Sequence, residues 1–278
     1  MRDQEIIEFL KEANSKRRNK RLDKLHISLT PKMVTKELIK ILKDNNVITV
    51  ELEIRIANNF ILKKCNYDYT IDDIKKASRI IKWSWLKLGY FILVGLPDST
   101  HIDERESAKI LIKYRPSFIR LYPFLIEDES KLEDYMKKDG FKPLTLQQGI
   151  ERCKELIYLF NKKRINSIAI NNLADNTHLS NNKEGLKIIA GPKYDTFPQL
   201  VEDSIWYDSI VGKIKKYNSK VKEVKVEVNP SNINNVIGYE KENLRKIKDT
   251  YSVEMQVIAN EKIKPGRSEM KILTVYED

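Results

Sequence analysis

The sequence predicts an α/β protein, a parallel β-sheet wound with helices, followed by a small α+β domain. Three observations carry this. Short β-branched runs alternate with amphipathic segments of helical length from Leu25 to Ile170, the spacing that parallel strands need for their crossovers. The 278 residues, 41% hydrophobic and 33% charged, are enough for one large core and one small one. The patterning then changes after Lys216, where Val221–Val228 alternates apolar and charged residues.

The elements follow in order. Glu5–Ala13 is an amphipathic helix with Ile6, Ile7, Phe9 and Leu10 on one side, and a basic run, Lys16, Arg17, Arg18, Lys20 and Arg21, comes after it. LDKLHISL is a strand ending at Ser28. Pro31 and Thr35 prepare a helix that buries Ile39 and Leu42. Val47–Ile56 is a β-branched strand. Thr70-Ile71-Asp72-Asp73 is a capping box, so a helix runs from there to about Trp85. The strand LGYFILVGL, a helix from about Asp103 to Tyr114 and the strand SFIRLYPFL come next. Gly140 and Pro143 punctuate the chain before a helix over Leu146–Lys162 and a last strand over Ile165–Ile170. Asn171–Lys183 is polar and unpatterned, hence a loop, and Thr196–Lys216 is a helix with Leu200, Ile205, Trp206 and Ile210 on one face. The first strand, around Leu25–Ser28, is expected to have an open edge, covered by the N-terminal helix, a second copy or a partner chain.

Composition narrows the function. No apolar run reaches membrane-spanning length, and the N-terminal segment has neither signal-peptide nor anchor character. Cys65 and Cys153 are isolated, as expected of a reducing, cytoplasmic setting without a disulfide framework. His26, His101 and His178 lack metal-ligand spacing, and no nucleophile triad, P-loop or dinucleotide fingerprint occurs. The net charge of +11 has two readings. One is attraction to a polyanion, nucleic acid first. The other is a solvated surface in a lysine-rich chain.

Two motif sets carry resemblances. LKLGYFILVGLPDST, Leu86–Thr100, and FIRLYPFLIEDESKLEDYMKKDGFKPL, Phe118–Leu144, resemble the second half of the barrel of radical S-adenosylmethionine (radical SAM) enzymes in their Elongator catalytic-subunit-like branch. Gly95, Leu96, Pro97, Arg120, Tyr122 and Pro123 keep that branch's pattern, as do Ser28, Pro31, Glu51, Thr70 and Ala190-Gly191-Pro192. Elsewhere the chain departs from it. Glu53, Arg55 and Ile56 stand where the branch has Gly, Gln and Ser, and Tyr67, Asp68 and Tyr69 replace Arg, Gly and His. Glu129-Ser130 replaces Gly-Thr, Ala169-Ile170-Asn171 replaces Arg-Ile-Gly, and Tyr194-Asp195-Thr196-Phe197 replaces His-Pro-Ala-Phe. The small C-terminal domain begins near Ser219. Its βααββ order, with Gly238-Tyr239-Glu240-Lys241 between the helices, resembles a KH-type RNA-binding module in which Lys241 takes the place of the second Gly.

The resemblance implies an incomplete (β/α) barrel of the TIM type over residues 1–218 and a KH-like domain over 219–278. It implies a family that uses a 4Fe-4S cluster and S-adenosylmethionine to modify tRNA wobble uridines. Two separate cysteines cannot supply the three thiolates of that cluster, so no cofactor is expected in the isolated chain and no residue is assigned a catalytic role. Cofactor-binding motif positions by resemblance are Gly95, Leu96, Pro97, Arg120 and Tyr122, although Arg120 has a structural alternative in pairing with Glu51. Candidate RNA contacts are Lys241, Arg245, Lys246 and Lys248 at the second C-terminal helix, with Lys264 and Arg267 nearby. A solvated helix face is the alternative, and Ile237 is expected to anchor the first of the two helices. Two functions remain in view. One is a degenerate, non-catalytic, RNA-associated homologue. The other is one half of a split tRNA-modifying enzyme whose cluster is carried by a separate chain, and beside both stands a third reading, a decaying gene product with no function.

Overall fold

The computed structural model describes residues 6–12, 24–126, 140–169, 190–192, 195–217 and 221–275. The basic run at Lys16–Arg21, Glu129-Ser130, the Asn171–Lys183 segment and Tyr194 lie outside them. The chain divides into two compact units, Met1–Lys193 and Tyr194–Asp278.

The first unit is a five-stranded parallel sheet whose spatial order is its sequence order. The strands are β1 (Leu25–Leu29), β2 (Val47–Arg55), β3 (Lys87–Val94), β4 (Phe118–Pro123) and β5 (Asn166–Ala169). Helices α1 (Lys36–Asp44), α2 (Asn59–Lys64), α3 (Ile71–Trp83), α4 (His101–Ile112) and α5 (Leu146–Asn161) lie between them in the chain. This is the incomplete barrel expected, with β1 at one edge and β5 at the other. Helical residues 6–12 bury Ile6 and Leu10, but Phe9 is 63% exposed, so the expected apolar side is narrower than the sequence implied.

Local chemistry sets the helix starts. Thr70 and Asp73 form the anticipated capping box, and Thr100 with Asp103 and Thr145 with Gln148 form two more. Asp103 is therefore the third residue of α4 rather than its first, because its carboxylate reaches back to the Thr100 N–H at 2.9 Å. Helix α2 has no counterpart in the sequence reading. It is six residues long and begins where the Asn58 side chain accepts from the Phe60 and Ile61 N–H groups.

Alternation along the strands divides the sheet into two faces. Val50, Leu52, Ile54, Leu88, Tyr90, Ile119 and Leu121 are fully buried on one. There the Tyr90 hydroxyl lies 2.7 Å from that of Ser78 on α3. Ser78 donates its proton to the Ile74 carbonyl, so Tyr90 is the donor between them. This face is the helix-covered core. The opposite face presents His26, Ser28, Glu51, Glu53, Phe91, Phe118, Arg120 and Tyr122, and several of these remain open to water.

The second unit is a mixed three-stranded sheet with β6 (Val221–Val228) central, parallel to β7 (Glu254–Ala259) and antiparallel to β8 (Ser268–Val275). It also holds helices α6 (Phe197–Ile214), α7 (Ile233–Ile237) and α8 (Glu242–Tyr251). Trp206, Ile210, Val211 and Ile214 of α6 share one core with Val224, Val226, Val228, Val236 and Ile247. This shared core puts α6 in the second unit, which begins at Tyr194 rather than near Ser219. The anchor of α7 is Val236, 1% exposed, while its neighbour Ile237 is only half-buried.

Gly89 marks the tightest packing of the open face. A Cβ there would lie 2.1 Å from the Phe118 ring. Gly89→Ala is expected to lower stability by about 1–3 kcal/mol, the usual range for overpacking. Thermal denaturation checks this, and adding Phe118→Leu should return part of the loss.

Candidate functional site

In a parallel α/β sheet, chemistry gathers at the carboxyl ends of the strands. Here the open face carries two charged clusters, one at mid-strand and one at the carboxyl end of β2. The first centres on Glu51, whose side chain is 1% exposed. Arg120 on β4 donates to both of its oxygens, with Nε to Oε1 at 2.6 Å. The Ser28 hydroxyl donates to Oε2 at 3.3 Å, and His26 Nε2 lies at the same distance from that oxygen. Burial first, and then the Arg120 charge, push the His26 pKa below its ordinary value, so the ring is neutral near pH 7 and Nε2–H donates to the carboxylate. One buried carboxylate thus ties β1, β2 and β4 together.

The second cluster sits further along the same face. Arg55 pairs with Glu53 at 2.9 Å and lies over the Phe91 ring at 4.4 Å. Phe91 packs against Tyr122 with ring centroids 4.2 Å apart. This arrangement depends on a bulge. The β2–β3 register shifts between Glu53 and Arg55, and Arg55 has φ 52. A bulge at a strand end re-aims the residue that follows it, and here it lays the guanidinium across β3. Tyr69 is 4% exposed, and its hydroxyl has no hydrogen-bond partner among the described residues. Burial pushes its phenol pKa up, with Arg55 opposing.

The motif positions Gly95, Leu96 and Pro97 form a buried turn after β3. Gly95 has φ 89, and a Cβ there would meet the Leu144 side chain at 2.5 Å. Its N–H donates to Glu104 Oε1 at 2.7 Å. Glu104 also accepts from Arg152, at 2.8 Å from Nε and 2.6 Å from the terminal nitrogen. Burial raises the Glu104 pKa although Arg152 and Gly95 pull it down. The Gly95 N–H is therefore committed to Glu104 of α4, which Arg152 of α5 also holds. Ala190 pairs with Ile126 just past β4, and a Cβ on Gly191 would lie 2.6 Å from the Phe124 carbonyl oxygen.

The cysteines do not converge. Cys65 caps the end of α2 and Cys153 lies buried in α5. Burial, with Asp98 adding to it, pushes the Cys65 thiol up to about 11, and burial also raises Cys153. A 4Fe-4S cube needs thiolates grouped at one place, and these two residues do not fit it. Among the described residues no group of three or more His, Cys, Asp or Glu is placed to hold a metal.

In the second unit all six basic candidates are exposed. Lys246 pairs with Glu242 at 2.9 Å and Lys248 with Glu254 at 2.7 Å. Lys241, Arg245, Lys264 and Arg267 make no ion pair among the described residues. The loop before α8 is fixed from within the unit. Asp203 on α6 accepts from the Tyr239 N–H at 2.7 Å and from the Asn235 amide at 3.0 Å. The buried Asn243 amide donates to the carbonyls of Asp203, Asn235 and Val236. Gly238 has φ 80, and a Cβ there would also lie 2.8 Å from the Asn243 backbone nitrogen. Lys241 has φ 61, the left-handed conformation that glycine adopts without strain. Sequence reasoning missed Asp203 and Tyr69. Asp203 on an apolar helix face was a visible signal, whereas the Tyr69 environment was not.

Known proteins frame these observations. No family model matches the chain. Over 105 residues it is 30% identical to a tRNA uridine(34) acetyltransferase of Methanocaldococcus infernus, covering 37% of this chain and 20% of that protein. The corresponding acetyltransferase of Methanocaldococcus jannaschii is 29% identical, with 37% of this chain and 19% of that one covered. The matched stretch thus spans about a fifth of these relatives. The solved structure of archaeal Elp3 from Methanocaldococcus infernus superposes with a TM-score of 0.55 at 22% identity, over 68% of this chain and 42% of that one. An Elp3 barrel is thus the fold that this chain shares in part. In sequence and in fold the chain thus bears out its resemblance to the Elp3-like branch of the radical SAM superfamily, over part of those proteins' length. Among the described residues no helix is long and apolar enough to cross a membrane.

Arg120→Ala would leave the Glu51 carboxylate buried without its cation. The expected loss is at the low end of about 3–5 kcal/mol, because the Arg120 side chain is 27% exposed and water replaces part of it. Urea denaturation of this variant beside Arg120→Lys, which keeps the charge, measures it.

Proposed function

We propose that this chain is a radical SAM homologue that does not perform cluster chemistry by itself and acts as an RNA-associated protein, with tRNA its first partner and the cytoplasm its compartment. The observation that carries the first part is the content of the strand ends. The Glu53–Arg55 pair and the Phe91–Tyr122 stack fill the open face of β2, β3 and β4. A cofactor that needed a glycine's clearance beside β2 would meet the Glu53 side chain instead. The separate cysteines point the same way.

The RNA part has two supports. The relatives' names specify tRNA uridine 34. Lys241, Arg245, Lys264 and Arg267 are exposed cations without protein partners among the described residues. The left-handed Lys241 follows Gly238 in a hydrogen-bonded loop, as a KH-like backbone clamp would require. Lys246 and Lys248, each already paired, contribute less to this surface.

One observation favours a second reading, the split enzyme. β1 is an edge strand, and His26 and Ser28 beside it are exposed. A separate chain adding strands there would cover the open face and bring its own cluster loop. The two readings separate on anaerobic reconstitution of the chain alone and with such a partner.

Two outcomes are expected. Reconstitution of the chain alone should yield no cluster by absorbance and iron analysis, and calorimetry should detect no saturable S-adenosylmethionine binding. A stoichiometric cluster would overturn the first part. Affinity for tRNA should fall with salt, each phosphate contact adding a slope of about −0.7 to −0.9 in log K against log salt. Lys241→Ala with Arg245→Ala should reduce that slope without lowering the Tm, since both side chains are exposed. An unchanged slope would remove this surface from the RNA reading.

A further inference from the structure

Helices α1 and α3 of the first unit enclose a groove of about 340 Å³ lined by Lys36, Lys40, Lys43, Ile80 and Trp83, with Asp44 the one carboxylate among its lining residues. Lys36, Lys40 and Lys43 are four and three residues apart, so they form a row along one side of α1. All three are exposed, and none makes an ion pair among the described residues. Lys76, one turn before Ile80 on α3, is exposed and unpaired in the same sense.

The aromatic residues at this groove do not serve the core. Trp83 lines it and is 73% exposed, and Trp85, which follows the lining residue Ser84, is 93% exposed. Trp85 follows the C-cap Ser84 with φ 65, in the left-handed conformation that glycine usually supplies after a helix. A large indole at that position strains the backbone and buries almost nothing. Its contribution lies outside the folded core.

We propose that this groove is a second binding surface, for single-stranded RNA, in which the lysine row takes phosphates and the two indoles stack on bases. The choice of RNA rests on the reading above, but the surface uses no residue of the second unit. A basic track with neighbouring aromatic platforms is the general chemistry of single-strand recognition, and stacking tolerates any base. An acidic polypeptide would use the lysines and leave both indoles in water.

Tryptophan emission tests this directly. The chain has three tryptophans, and Trp206 is only 7% exposed, so quenching reports on Trp83 and Trp85. Titrating the full chain with a uridine-rich single-stranded oligoribonucleotide is expected to quench emission. Trp85→Gly should raise the Tm by relieving the left-handed strain, yet weaken binding about tenfold. Lys40→Ala with Lys43→Ala should reduce the salt slope by about 1.4. The Lys241→Ala, Arg245→Ala variant should keep the quenching. If RNA binds by anisotropy without quenching and Trp85→Gly binds normally, the groove proposal is overturned and the C-terminal surface stands. If the quenching survives every C-terminal change and vanishes with the Trp85 and Lys40 changes, the groove stands and the C-terminal surface falls. Equal quenching by polyglutamate at matched charge would assign the surface to an acidic polypeptide and overturn the RNA proposal. Absence of any quenching also overturns it.

Discussion

A carboxylate in the middle of a parallel sheet is costly unless both oxygens are satisfied. Glu51 meets that condition through Arg120 on both oxygens, with Ser28 and His26 on Oε2. The consequences extend over the whole open face. β1 is joined to β2 by side chains as well as by backbone, and β4 is fixed relative to β2 across the intervening β3. Phe118 then lies close over Gly89, and His26 lies against the Phe118 ring at 5.7 Å. Because Arg120 is held this way, it is a brace of the sheet rather than a mobile cation.

The same logic recurs at the end of β3. Glu104 holds the Gly95 N–H and the Arg152 guanidinium, and Arg152 also donates to the Ser99 carbonyl at 3.2 Å. A turn that resembles a cofactor-binding motif is thereby locked to two helices. Retention of Gly95, Leu96 and Pro97 has a sufficient structural cause in this locking.

In the second unit, Asp203 has the corresponding role. Burial raises its pKa while the Tyr239 N–H and the Asn235 amide pull it down. These hydrogen bonds fix the loop that puts Lys241 and Arg245 at the start of α8. Among six basic candidates the structure separates two that are ion-paired from four that make no ion pair among the described residues. That separation, rather than the net charge of +11, is what the proposed RNA surface rests on.

Much of the fold was legible in the sequence because it depends on local rules. Val221–Val228 was read to the residue, and the Thr70 capping box fixed the start of α3. The order of strands and helices followed from the alternation of periods, and the family resemblance followed from motifs spaced along it. Other features depended on residues far apart in sequence. The pairing of Arg120 with Glu51 was an alternative the sequence offered, but the two are 69 residues apart, and strand order decides that they meet and that His26 and Ser28 join them. The re-aimed Arg55 depends on a one-residue bulge that no periodicity reveals. The membership of α6 in the second unit and the exposure of Trp83 and Trp85 depend on which apolar faces find partners. The sequence alone determined where backbone hydrogen bonds close locally. Tertiary structure decided which polar groups are left in water, because that depends on neighbours supplied by distant strands and helices.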